Sequence, residues 1–270
     1  MFIAQMKDFI LLIPCFNNTE GLITSLKSIQ YQPDKFEVLI VDDGSKIPLN
    51  ESALKNEIPG IPMKVLRLPE NVGVAKALNE GLKTIHNQND YKYIARLDCG
   101  DTCQPNRFTE QVKYLDEHLE IGLLGTWCQF IDSVSGKSYT YKTKTEYENI
   151  LKEMHLKCSF IHPTVMFRRE VLDSVGYYPE NYPHAEDYAY FWLILTQFKV
   201  SILPEVYVDI ITNTKTVSSI NFKKQALSRA KIIKHFGAFP IFKFGGILAS
   251  YCRVIIPYRL IARAKFFLYR

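Results

Sequence analysis

Along its first 130 residues the chain alternates short, wholly apolar runs with stretches whose apolar positions recur every three or four residues. Apolar runs bounded by turn residues predict buried strands, here over 9–13, 37–41, 63–68, 93–97 and 122–127. The intervening segments predict helices. One starts near Thr19; in another Ala75, Leu78, Leu82 and Ile85 share a face; a third is opened by Pro105, a residue tolerated in a first turn, and runs to about Leu119. Strand and helix in turn imply βαβ units on a mostly parallel sheet, an α/β fold. After residue 130 the alternation weakens. A polar stretch over 133–145 leads to a short helix over 146–154, a strand over 164–167 and a helix from Asp187 to Phe198. The last fifty residues read as helical, broken at Pro240, Gly245, Gly246 and Pro257.

Length and composition narrow the class. A chain of 270 residues with 47% hydrophobic content can bury a sizeable core in one unit. The apolar run at Phe9 to Ile13 is too short for the core of a secretion signal, and Phe244 to Cys252 falls well below the roughly 20 residues that span a bilayer. Six scattered cysteines in such a chain predict reduced thiols and a cytoplasmic setting. Cys99 and Cys103 lack the second pair that would complete a zinc site. Charge is unevenly spread. The last fifty residues hold eleven of the 33 Lys and Arg and none of the 28 Asp and Glu, so the first 220 carry a net −6. A basic, aromatic-rich tail on an acidic body predicts an anionic partner.

In an open parallel sheet the ligand site lies beyond the carboxyl ends of the strands. The segments there are Pro14-Cys15-Phe16-Asn17, Asp42-Asp43-Gly44-Ser45, Asn71-Val72-Gly73 and Asp98-Cys99-Gly100-Asp101. Taken singly, the second is also a good turn and the fourth a good helix cap. Together, two acidic pairs on one rim repel unless a cation and a diphosphate sit between them.

The order of these segments resembles glycosyltransferase family 2 over residues 8–215. The carriers of the resemblance are Pro14 to Asn17, Val41 to Ser45, Asn71 to Asn79, Asp98 to Asp101 with Pro105 and Arg107, His162 to Thr164, and Glu186-Asp187-Tyr188 ahead of Trp192. Each is weak alone; six in order are a specific signal. The resemblance implies a GT-A fold, a Rossmann-like, mostly parallel sheet flanked by helices, and inverting transfer from a nucleotide-sugar donor. The implied organisation is a catalytic domain over 1–220, split into a nucleotide-binding half over 1–130 and an acceptor-side half over 131–220, followed by a basic helical region over 221–270. Asp43 would meet the nucleobase, with Pro14, Phe16, Asn17, Asp42 and Asn71 around it. Asp98 and Asp101 would face the ribose and a diphosphate bridged by Mn²⁺ or Mg²⁺, with Lys76 and Arg96 as basic assistants. His162 and Glu186 would line the site, and Asp187 would be the base that takes a proton from the acceptor hydroxyl. Gly100 stands where the family's metal motif has its cation-touching Asp, which shifts the cation onto Asp98 or Asp101.

The acceptor is expected to be a glycan or lipid-linked glycan of a bacterial surface polysaccharide. The tail suits the anionic inner face of the cell membrane, since Phe239, Ile241, Phe242, Phe244, Ile255, Ile256, Phe266, Phe267 and Leu268 interleave with Lys and Arg. No nucleic-acid-binding pattern accompanies it. The first strand is followed by no Gly-x-Gly-x-x-Gly turn, which excludes the usual dinucleotide-dependent oxidoreductase. The competing expectation is a catalytically silent relative that binds nucleotide-sugar and serves another transferase.

Overall fold

The protein is described by a computed structural model over residues 6–212 and 221–256. Among these residues nine strands form one sheet. They are β1 (Lys7–Cys15), β2 (Phe36–Asp42), β3 (Met63–Arg67), β4 (Tyr91–Arg96), β5 (Thr102–Cys103), β6 (Ile121–Asp132), β7 (Ser138–Tyr141), β8 (Met166–Arg168) and β9 (Lys199–Thr212). Their order is β3-β2-β1-β4-β8-β6-β9-β5, with β7 paired to β6. The strands β3, β2, β1 and β4 run parallel, β8 runs antiparallel to both β4 and β6, and β9 returns parallel to β6.

The sheet is buried on both faces, so its strands read as continuous apolar runs. Along β1 the side chains alternate: Phe9, Leu11 and Ile13 enter one core cluster, while Ile10 and Leu12 enter the other. The first cluster is closed by α1 (Thr19–Lys27), α2 (Glu51–Glu57) and α4 (Arg107–Glu117). The second is closed by α3 (Val74–His86), α5 (Tyr147–Met154), α6 (Arg169–Val175), α7 (Glu186–Leu195) and α8 (Phe222–Phe236). Helix α3 buries Ala77, Leu78, Leu82 and Ile85, with Ala75 at the margin of the expected face.

Three differences from the sequence expectations have physical causes. The segment that follows α7 is a 14-residue strand, β9, where no strand was expected. Its period is interrupted at Pro204 and Glu205, which bulge out where Thr126 pairs with Leu203 and Trp127 with Val206. A proline without an N–H cannot continue the ladder, so the alternation that marks a strand is lost there. Helix α4 starts at Arg107, after Asn106 adopts a left-handed φ of 64°, and not at Pro105. Lastly, Gly245 and Gly246 do not break the tail. They lie inside α9 (Pro240–Ile255), which starts at Pro240 as expected.

Gly246 is there for close approach. A Cβ at this position would stand 1.9 Å from the carbonyl oxygen of His155. The tail is thereby fastened to the body: Ile232 and Ile233 of α8 are fully buried, Trp192 and Phe236 stack at 6.5 Å, and the Phe239 amide donates to His155 Nε2 at 3.3 Å. Residues 257–270, including Pro257 and Phe266 to Leu268, lie outside the described residues. Among the described residues no helix is long and apolar enough to cross a membrane.

Gly246→Ala is expected to force α9 off His155. Overpacking of this kind costs about 1–3 kcal/mol. The midpoint of thermal unfolding should fall by several degrees, as calorimetry would measure.

Candidate active site

The carboxyl ends of β1, β2 and β4 place three loops side by side. Since β2 and β4 flank β1, Asp43 and Asp98 stand two strands apart, about 10 Å at the usual strand spacing.

Asp43 organises the β2 end of the rim. One carboxylate oxygen accepts the Val72 amide at 2.8 Å; the other accepts Asn71 Nδ2 at 2.8 Å and the Gly73 amide at 3.0 Å. It therefore clamps the loop ahead of α3 and keeps one acceptor position on Oδ1 unspent. Asn17, in the left-handed region at φ 52°, ties this edge to the first loop. Its amide donates to Ser45 Oγ at 2.9 Å and its Oδ1 accepts the Lys46 amide at 2.8 Å. The same loop holds Phe16 out at 47% exposure, beside half-buried Pro14. Asp42, by contrast, is fully buried. Its carboxylate is taken by the Ser45 and Leu49 amides and by Arg67 at 2.5 Å. Burial alone would raise its pKa, but these donors outweigh burial and hold it low. Asp42 fastens the turn from inside and does not face the cleft. Lys76 lies on the outer side of α3, lining a cavity of about 270 Å³ with Leu68, Pro69, Val72, Glu80 and Glu180.

The second centre is built on Arg96, which is fully buried. Its guanidinium donates to the carbonyl oxygens of Leu12 and Leu97, to His162 Nε2 at 3.3 Å and to Asp98 Oδ1 at 2.5 Å. A buried cation persists when each donor finds an acceptor, as here. Arg96 was expected to touch the diphosphate; it lies beneath the cleft instead and aims Asp98. Since the guanidinium can only donate, Nε2 of His162 is an acceptor and the ring proton belongs on Nδ1. Burial and the nearby Arg96 charge depress the His162 pKa to about 3, so the ring is neutral. Tyr178, whose hydroxyl lies 2.8 Å from the same nitrogen, completes this network. Sequence reasoning missed it, because a tyrosine in the Gly176-Tyr177-Tyr178 run carries no motif and reads as core. Arg107 is also structural, donating to the carbonyls of Arg96 and Pro163, both at 2.7 Å.

Asp98 keeps its side chain 41% exposed, with one oxygen engaged by Arg96. Asp101, expected as a second cation ligand, is turned into the sheet. It is 6% exposed and its Oδ1 accepts the Ile211 amide of β9 at 3.0 Å. Burial, and then the neighbouring Asp98 charge, raise its pKa to about 8. Gly100 sits at φ +106°, a conformation that L side chains rarely adopt, and its amide donates to Ser25 Oγ at 2.9 Å. The family's Asp cannot occupy this backbone without strain. Among the described residues no three His, Cys, Asp or Glu side chains could hold a metal by themselves. The donors present would fit a cation only as a partial oxygen shell, in which Asp98 would be the protein ligand and a donor's phosphates and water would supply the rest.

Asp187 and Glu186 open α7 and are both half-buried. Asp187 lies near enough to Asp98 to feel its charge. Burial first, then Glu186, then Asp98 push its pKa up to about 7. Burial likewise raises Glu186. The tail braces this entry: Gln225 Nε2 donates to the His184 carbonyl at 3.0 Å, Ser228 Oγ donates to the Pro183 carbonyl at 2.9 Å, and the Arg229 guanidinium lies 4.6 Å over the Tyr188 ring.

A clamped loop and an acidic rim side by side at the carboxyl ends of a mostly parallel sheet are the arrangement of a GT-A-like fold. The model of glycosyl transferase family 2 matches residues 10–176, and the chain belongs to that family: it is a glycosyltransferase. It is 30% identical over 219 residues to the amylovoran biosynthesis glycosyltransferase AmsE of Erwinia amylovora, covering 78% of each chain. It is 27% identical over 202 residues to the Escherichia coli UDP-Gal:α-D-GlcNAc-diphosphoundecaprenol β-1,3-galactosyltransferase, covering 74% of this chain and 71% of that one. The crystal structure of Staphylococcus aureus TarS 1-349 superposes with a TM-score of 0.67 at 20% identity, over 91% of this chain and 71% of that 1-349 chain, which shows a shared fold.

Gly100→Asp, which restores the family residue, is expected to cost about 1–3 kcal/mol through backbone strain. Denaturant unfolding of the two forms should show a lower midpoint for the variant.

Proposed function

We propose that this glycosyltransferase moves a sugar, with inversion, from a UDP-sugar to a glycan or lipid-linked acceptor of a bacterial surface polysaccharide. The observation that carries the reading is the raised Asp187 carboxyl at the start of α7, within electrostatic reach of Asp98. A base with a pKa near the working pH can be ionised before the reaction and still hold a proton after it. The activities for which the Escherichia coli and Erwinia relatives are named support the UDP donor, the lipid-linked acceptor and the polysaccharide setting for this chain.

In this reading the acceptor hydroxyl enters beside α7 and attacks the anomeric carbon on the face opposite the diphosphate. An Asp187 carboxylate oxygen takes the hydroxyl proton as the new bond forms. Glu186 keeps that carboxyl basic by charge repulsion. Asp43 uses its free Oδ1 position to accept a nucleobase N–H, and the exposed Phe16 ring covers the base. Bound Mg²⁺ or Mn²⁺, held by Asp98 and the donor's phosphates, would neutralise the charge that grows on the leaving diphosphate. His162, neutral and fixed by Arg96, packs beneath the transferred sugar without adding charge.

The tail gives the enzyme a place to work. On α9 the residues Ile241, Phe244, Leu248, Tyr251 and Ile255 are 86%, 72%, 53%, 53% and 83% exposed and follow one another at steps of three and four. They form one outward apolar stripe, flanked by Lys243 and Arg253 on a segment without an acidic residue. Such a face suits the headgroup layer of an anionic leaflet, on the inner side of the cell membrane, where a lipid-linked acceptor is presented.

Asp187→Asn should fold and lose transfer by at least 100-fold, the order general base catalysis contributes. Parental activity rises as pH climbs through about 7, because the carboxylate form is required. Stability runs the other way. A folded pKa above the unfolded value favours the folded protein at low pH, and that advantage is lost as pH rises through about 7. At pH 8 the variant should therefore melt higher than the parent, and at pH 4 the two should agree. Turnover near the parental level would remove the assignment. For the tail, Phe244→Glu with Leu248→Glu should abolish sedimentation with phosphatidylserine vesicles and leave the unfolding midpoint unchanged; sedimentation equal to the parent's would contradict the membrane reading.

A further inference from the structure

We propose that Cys15 and Cys99 form a peroxide-sensitive dithiol whose closure to a disulfide distorts the donor-binding rim. The two sulfurs are 3.5 Å apart. They sit just past the paired part of neighbouring strands: β1 and β4 are in register as far as Leu12 opposite Arg96, and each cysteine lies three residues further along its chain. The sulfurs need close by only about 1.5 Å to reach bonding distance.

Cys99 is partly exposed and Cys15 is 2% exposed, so a small oxidant reaches the pair from the Cys99 side. Peroxide transfers one oxygen to one of the two sulfurs, its O–O bond breaks, and water leaves. The other sulfur then attacks the resulting sulfenic acid, the S–O bond breaks, and the oxygen departs with both protons as a second water. Two thiols and one peroxide thus give a disulfide and two waters. Cys103 and Cys128 are buried elsewhere, with Cys103 engaged by Arg107 at 3.2 Å, so the pair has no competitor at the rim among the described residues.

Closure has a structural cost that falls on the site. Reduced Cys99 donates to the Asn18 carbonyl at 3.1 Å, and the Asn18 side chain caps α1 through the Gly21 amide at 3.1 Å. Drawing Cys99 toward β1 removes the first bond and pulls on Asp98 and Gly100, its immediate neighbours. It also shifts Cys15, next to Phe16 and Asn17. Both ends of the donor cleft move together, which is where the inference rests on the donor reading above.

The test uses the full chain treated with hydrogen peroxide, then alkylated, digested and analysed by mass spectrometry, with UDP affinity in MnCl₂ measured by calorimetry before and after. The expected result is a linked peptide pair containing Cys15 and Cys99, a UDP dissociation constant raised at least tenfold, and recovery with dithiothreitol. In Cys99→Ser the UDP affinity should not respond to peroxide. Alkylation of both thiols after oxidation would overturn the proposal, as would a linked pair with unchanged UDP affinity. Reduced protein that binds no UDP would instead refute the donor reading, and with it the claimed consequence of closure, while the linkage would still be decided by mass alone.

Discussion

The fully buried guanidinium of Arg96 is the constraint on which the site depends. A cation inside a protein must have its donors satisfied, and here the acceptors come from β1, the end of β4, the loop before β8 and Asp98. Satisfying Arg96 therefore brings these segments together at one point under the rim. Asp98 is left with one oxygen spent and one turned to the cleft, and His162 is held neutral. The acidic rim is tolerable because a positive charge lies directly below it.

Around that point the acidic residues divide by burial. Asp42, Asp43 and Asp101 are buried and serve the turn, the loop ahead of α3 and the β9 contact, whereas Asp98 and Asp187 are only partly buried. Nothing in the motif spelling distinguishes the two groups. The difference lies in which neighbouring amides each carboxylate reaches. Asp187 carries the opposite compromise: the burial that raises its carboxyl, and that would suit it to the proposed role of base, also disfavours its charged form in the folded state.

Much of this was legible in the sequence. The parallel half was written in apolar runs and the period of α3, and the strand-end position of the polar segments located the rim without coordinates. Less legible was anything that depends on partners distant in the chain. Pro204 hid β9 by interrupting its alternation, and glycines that read as helix breakers in the tail proved to be the surface by which α9 reaches His155. Arg96 read as a ligand contact because sequence shows charge without burial. The tail read as one basic appendage, yet α8 completes the core and braces the approach to Asp187, while only α9 offers an apolar face outward.

The central claim is that an acidic rim held over Arg96 departs the diphosphate from one face of the sugar while Asp187 works on the other. The most direct measurement is proton NMR of the sugar first released from an α-linked UDP-sugar by water in the presence of Mn²⁺. The account predicts that the β anomer appears before mutarotation and that Asp187→Asn abolishes the signal. Release of the α anomer first, or no cleavage from any of UDP-, GDP- or dTDP-sugars, would contradict it.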